Sequence, residues 1–170
     1  MISRAVRLSI LIVTLQFMQV ADSFAASPYS EQETKAVRDA CILLGLRYAE
    51  YLDMNEPEKI ARLFADNGSF EGTGKYIGPE DIQLAFAARP KDRITMHLVS
   101  NQKVEVVSKN LALSVSSFVV YKHDGKLKEE FAPIANQPYR VGRYHDECIL
   151  TDDGWRFQNR KLETIFLSDS

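Results

Sequence analysis

From Ile94 to the C-terminus apolar and polar residues alternate with a period of two, and this long alternation limits the fold more than any other feature of the chain. It predicts four long strands, over residues 94–108, 111–122, 139–151 and 155–167. Lys109-Asn110, residues 123–138 and Asp152-Asp153-Gly154 join them. The first and last of these connections are too short for a parallel crossover, so their strands pair antiparallel. Before Ile94 the apolar period is helical. Helices first and strands last, without strand–helix alternation, predict an α+β fold in which a curved, mostly antiparallel sheet wraps helices.

The last hairpin can be registered by eye. With Thr151 opposite Trp155, paired residue numbers sum to a constant, which sets Arg143 against Glu163 and His145 against Lys161 on an outer charged face. Tyr144 then meets Leu162, Cys148 meets Gln158 and Asp146 meets Arg160 on the inner face. An inward acid and guanidinium are tolerable only as a hydrogen-bonded pair, so Asp146 and Arg160 read as a structural pair. The charged outer face argues against a dry apolar interface between copies there, although homo-oligomers are not otherwise restricted.

Ser30-Glu31-Gln32-Glu33 is a capping-box signature that starts a helix running to about Met54. Val37, Ala40, Cys41, Leu44, Tyr48 and Leu52 form its apolar stripe. A short second helix is expected from Asn55-Glu56-Pro57 to Phe64, broken by Asp66-Asn67-Gly68. Ser69-Phe70-Glu71 and Lys75-Tyr76-Ile77 then read as a hairpin. Gly78-Pro79-Glu80 opens a third helix that ends near Arg89-Pro90.

A chain of 170 residues suits one domain. Arg4 and Arg7, the apolar run from Leu8 to Val20 and the small residues around Phe24 predict a secretory signal over residues 1–25, cleaved after Ala25. The expected product is a single domain over residues 26–170, periplasmic or secreted, with no stable membrane anchor. Net charge is −2 and no basic patch is interleaved with aromatics, which excludes nucleic acid as a partner. Cys41 and Cys148 each read as a small buried hydrophobe rather than as half of a disulfide. No zinc or haem spacing is present, and neither a metal nor another cofactor is expected.

Three residues ask for an explanation. Tyr48 places a phenol in a buried stripe, where its tip needs a partner. Asp53 places a carboxylate at the negative end of a helix dipole, so it either caps the next helix or meets a charged group in a pocket. His97 lies on one strand face with Thr95, Val99 and Asn101; alone it would read as a satisfied structural histidine. His123 falls in a loop and His145 on the outer face.

Arg47-Tyr48 with Asp53, Leu63-Phe64-Ala65-Asp66, Gly78, the stretch from His97 to Asn101, Gly142-Arg143-Tyr144-His145-Asp146 and Gly154-Trp155-Arg156 with Arg160 together resemble the SnoaL-like branch of the nuclear transport factor two-like superfamily. The resemblance covers residues 31–166. It implies a cone of mixed, mostly antiparallel sheet around a long N-terminal helix and two shorter ones, with a mostly apolar pocket. Within the superfamily the chain is most similar to the scytalone dehydratase and bile-acid 7-alpha dehydratase type. That likeness implies catalytic roles for Tyr48, Asp53 and His97, with Arg160 toward the substrate; Asn101, on the same strand face as His97, is expected to contact the substrate as well. A further pocket aspartate of that type, due near Phe118 to Tyr121, is absent; Val119 and Val120 stand there.

The chemistry so implied is loss of water from a β-hydroxy carbonyl compound, which needs a base, a donor at the carbonyl oxygen and an acid for the leaving hydroxyl. A dehydratase-like lyase or an isomerase or cyclase acting on an apolar, ring-bearing or polyketide-like carbonyl compound is therefore expected. The alternative is a non-catalytic small-molecule-binding or assembly module with the same pocket.

Overall fold

The computed structural model describes residues 29–127, 129–133 and 137–168. The expected signal segment lies outside them, and no described helix is long and apolar enough to cross a membrane. The order is α1 (Glu31–Asp53), α2 (Pro57–Ala61), β1 (Phe64–Glu71), β2 (Lys75–Ile77), α3 (Gly78–Ala87), β3 (Ile94–Ser108), β4 (Leu111–His123), β5 (Arg140–Thr151) and β6 (Gly154–Leu167). This is the α+β class, with β2-β1-β6-β5-β4-β3 as one mixed sheet in which only β1 and β6 run parallel.

Helix α1 begins with the capping box formed by Ser30 and Glu33. Its end is a Schellman turn: Glu56 N–H donates to Tyr51 O at 2.9 Å while Asn55 takes φ +56°, a left-handed conformation that Asn tolerates. Helix α2 stops at Ala61 rather than reaching Phe64. Phe64 already begins β1, and residues 66–68, read as a break, lie inside that strand, at the irregularity between Phe64 and Ser69 in its pairing with β6. A five-residue helix is too short to show a period, so its boundary with β1 is set by long-range pairing.

The β5–β6 pairing departs from the simple register. Thr151 faces Gly154 and Cys148 faces Phe157, not Gln158; a bulge next to Glu147 then restores Asp146 opposite Arg160, His145 opposite Lys161 and Arg143 opposite Glu163. The turn pairs one residue tighter than expected, with Gly154 in the left-handed region at φ +99°. The extra residue is absorbed by the bulge, and Phe157 and Arg160 can both face inward.

The core joins the α1 stripe to Phe64, Phe70, Ile82, Phe118, Tyr144 and Phe157. Cys41 and Cys148 are free, buried thiols within it, and the Cys148 thiol is pushed up in pKa by its hydrogen bond with Cys41 and by burial. The outer face is divided. His145 Nε2 lies 2.9 Å from Glu163, as a charged cluster on β5–β6. On β3–β4, however, Met96 opposes Tyr121 and Leu98 opposes Val119, with Met96 58% and Leu98 53% exposed. The charge that argues against an apolar interface thus covers only one half of the sheet.

Gly142 sits at a second bulge, where a Cβ would run into the Glu163 carbonyl oxygen and come within 2.9 Å of the Phe118 ring. Because the first obstacle is backbone, Gly142→Ala is expected to destabilise by about 1–3 kcal/mol, several degrees in melting temperature for a chain of this size. A thermal melt unchanged within a degree would refute the close-approach argument.

Candidate active site

A cavity of about 210 Å³ opens between the end of α1, helix α3 and the inner face of the sheet. Phe70, Tyr76, Phe86, Phe118, Val120 and Leu162 supply most of its apolar wall. Tyr48 reaches it from the α1 stripe, its ring edge-on to Phe86 and to Tyr144 at centroid distances of 6.0 and 5.6 Å. Burial, reinforced by Tyr144, pushes the Tyr48 phenol well above its ordinary pKa, so it stays a hydrogen-bond donor at neutral pH.

Asp53 does not cap α2, whose N-cap is Glu56 without a side-chain bond. The Schellman turn carries the chain away, and Asp53 instead reaches β3. His97 N–H donates to Asp53 Oδ2 at 2.8 Å, and the ring Nδ1 lies 2.5 Å from Oδ1. Because β3 is an edge strand, an N–H pointing away from β4 needs such an acceptor. The His97 side chain is 5% exposed and that of Asp53 20%. Burial raises the Asp53 pKa, but the two bonds from His97 and a further one from Thr95 outweigh it and hold the carboxyl below its usual 3.8. Asp53 is therefore ionised at neutral pH and is tied to the ring at Nδ1, so Nε2 is the ring nitrogen not engaged by the carboxylate. His97 lines the cavity with Tyr48.

Since the folded pKa of Asp53 lies below the unfolded one, its contribution to stability is present above the unfolded value and fades as pH falls through the folded value. Asp53→Asn is expected to destabilise by on the order of 1 kcal/mol or more at neutral pH, with the gap to the parent closing below about pH 4. Denaturant melts at pH 7 and pH 3 check this. A pH-independent gap would mean that the charge of Asp53 contributes nothing.

Arg160 and Asn101 are not in the cavity wall. Arg160 is fully buried behind it, bonded to Asp146 through Nε to Oδ1 at 2.7 Å and Nη2 to Oδ2 at 2.8 Å. Its guanidinium carbon lies 4.3 Å from the Tyr48 ring, 4.3 Å from Tyr144 and 4.2 Å from Phe157. It therefore props the aromatic wall rather than facing a ligand. Asn101 takes φ +50° at a bulge between Ser100 and Lys103 and turns out to solvent. The bulge swings Gln102 inward, where Nε2 donates to Ser114 Oγ at 3.1 Å.

Sequence reasoning passed over Arg89, Arg93, Lys122, Tyr139 and Arg140, all of which line the cavity. Arg89 donates to Leu52 O at 2.8 Å and to Thr95 Oγ1 at 3.3 Å, giving the carboxyl end of α1 the positive charge its own last turn lacks. Burial and the neighbouring Arg93 lower its pKa. The one hint in the sequence was that basic residues gather at element ends, between α3 and β3 and where β4 ends and β5 begins.

Among solved structures, the chain is similar to a scytalone-dehydratase-like protein of Novosphingobium aromaticivorans, at 21% identity and TM-score 0.68 over 83% of this chain and 92% of that one. It is also similar to a hexachlorocyclohexane dehydrochlorinase from Novosphingobium barchaimii, at 21% identity and TM-score 0.66 over 82% and 93%. A Mycobacterium tuberculosis protein of unknown function matches at 25% identity and TM-score 0.65 over 84% and 79%. No curated protein matches the chain. The profile of the SnoaL-like domain matches residues 33–161, from the first turn of α1 into β6. With cone, cavity and profile in agreement, the chain belongs to the SnoaL-like family of the nuclear transport factor two-like superfamily.

Proposed function

We propose that the mature protein, over residues 26–170, is an exported dehydratase-like lyase or isomerase that acts on a small ring-bearing carbonyl compound by general acid/base chemistry. The observation that carries this reading is the His97 ring, fixed through Nδ1 by an ionised Asp53 while it lines an aromatic cavity with Tyr48. In this reading His97 Nε2 takes the proton from the carbon next to the carbonyl, and Asp53 stabilises the imidazolium that results. Tyr48 donates to the carbonyl oxygen as charge builds on it. The carbon–oxygen bond at the β-position then breaks, and the proton held on His97 leaves with the hydroxyl as water. An isomerisation would return that proton to another carbon instead.

The neighbours described as a scytalone dehydratase and as a dehydrochlorinase carry the fold alone at 21% identity, and the elimination in this reading is argued from the His97 and Asp53 geometry. The test is a panel of β-hydroxy ketones and acids, followed by the absorbance of a conjugated product and by exchange of the α-proton in deuterated water. Product or exchange supports the reading. A ligand that binds yet neither reacts nor exchanges would favour the binding-module alternative. Export has its own check: N-terminal sequencing of the mature protein is expected to begin at Ala26, and an intact Met1 would overturn it.

A further inference from the structure

The cavity is apolar at its floor and cationic at its rim. Arg89, Arg93, Lys122 and Arg140 line it, and among the described residues no carboxylate does. Arg93 and Lys122 share one acid between them: Arg93 Nε lies 2.6 Å from Asp124 Oδ1, and Lys122 Nζ lies 3.1 Å from Oδ2. Among the described residues Arg140 has no such partner. Its Nε is buried without a hydrogen bond among the described residues, and its guanidinium carbon lies 5.4 Å from the Tyr139 ring, over which Lys122 also sits at 4.0 Å. The fold gathers these cations deliberately: Thr95 pairs with Lys122 on β3–β4, and Val120 with Arg140 on β4–β5, so both basic residues enter beside cavity-lining partners. A buried donor of an always-charged group is costly unless something accepts from it.

We infer that the cavity takes an organic carboxylate, its acid group held at Arg140 and Lys122 and its ring lying against the aromatic floor. The guanidinium edge of Arg140 suits a carboxylate, whose two oxygens match paired N–H donors, and the small volume suits a single-ring acid rather than an extended ligand. This inference rests on the proposed reading of the same cavity and narrows its substrates to carbonyl or hydroxy acids. Anchoring the acid at the rim leaves the rest of the molecule for His97 and Tyr48.

Binding tests it without turnover. Benzoate and cyclohexanecarboxylate, titrated calorimetrically into the intact mature protein, are expected to bind, while benzamide and cyclohexanecarboxamide bind about tenfold or more weakly. Arg140→Gln and, separately, Lys122→Gln are each expected to weaken benzoate by about tenfold while leaving the amides unchanged. Benzoate affinity should also fall with added salt. Absence of benzoate binding, equal binding of acid and amide, or insensitivity to both rim variants overturns the assignment. Displacement of benzoate by inorganic phosphate at equal concentration would overturn it too, in favour of a phosphorylated ligand. If benzoate binds as expected but no compound turns over, the carboxylate site stands and the lyase reading fails.

Discussion

Asp146→Ala is expected to cost about 3–5 kcal/mol of folding stability, the scale for removing one partner of a buried ion pair. Both oxygens of Asp146 accept from Arg160, which is 0% exposed, so without the carboxylate a charged guanidinium remains deep in the core. Three aromatic faces stay around it, but a cation–π contact contributes roughly 0.5–2 kcal/mol and none supplies an acceptor for an N–H in its plane. Arg160 also has no means of escape by losing its proton, since a guanidinium stays charged at any ordinary pH. For a chain of this size the loss corresponds to a fall of roughly 6–20 °C in melting temperature. The pair need not be the most stable solution, however. Asp146→Leu combined with Arg160→Met is expected to recover most of the loss, because it leaves no charge unpaired. A single variant that melts within 2 °C of the parent would show that water reaches Arg160. The prediction bears on function through position: Arg160 supports the Tyr48 and Tyr144 rings that face the cavity.

The parts of this fold that were legible in the sequence are those decided locally. The strand run shows because alternation over a dozen residues has no other explanation, and α1 shows because Ser30 and Glu33 satisfy each other within one turn. What stayed hidden was decided at a distance. Phe64 is a strand residue because Leu63 O accepts from Phe157 N–H, more than ninety positions later. Asn101 leaves the inner face because a bulge intervenes, and its only local sign is that Asn tolerates a left-handed backbone. Asp53 was conspicuous as a charge at the wrong end of a helix, which signals a partner without naming it. That the partner is His97, through backbone and ring together, depends on how α1 lies along the sheet edge. The cationic rim was the least legible part. Arg93, Lys122 and Arg140 each look like ordinary solvated residues at an element end, and only the closing of the sheet turns them toward one space.

His97→Ala is expected to lower turnover by about 100-fold or more on any substrate the panel identifies, with the fold retained. The substitution keeps the backbone N–H that Asp53 accepts, so the β3 edge remains tied to α1 and only the ring is lost. If the ring matters merely as a filler of the edge, the variant will melt lower yet turn over normally per folded molecule; if it moves a proton, the rate collapses while melting changes little. Asp53→Asn separates the two roles further. An amide can still meet the His97 N–H but no longer stabilises the imidazolium, so kcat should fall and KM should stay near the parent value. Because Asp53 acts through His97, the double variant is expected to be no slower than His97→Ala alone, which independent contributions would not produce. Losses that multiply in the double variant would mean that Asp53 meets the substrate itself, and an unchanged rate in His97→Ala would remove His97 from the chemistry altogether.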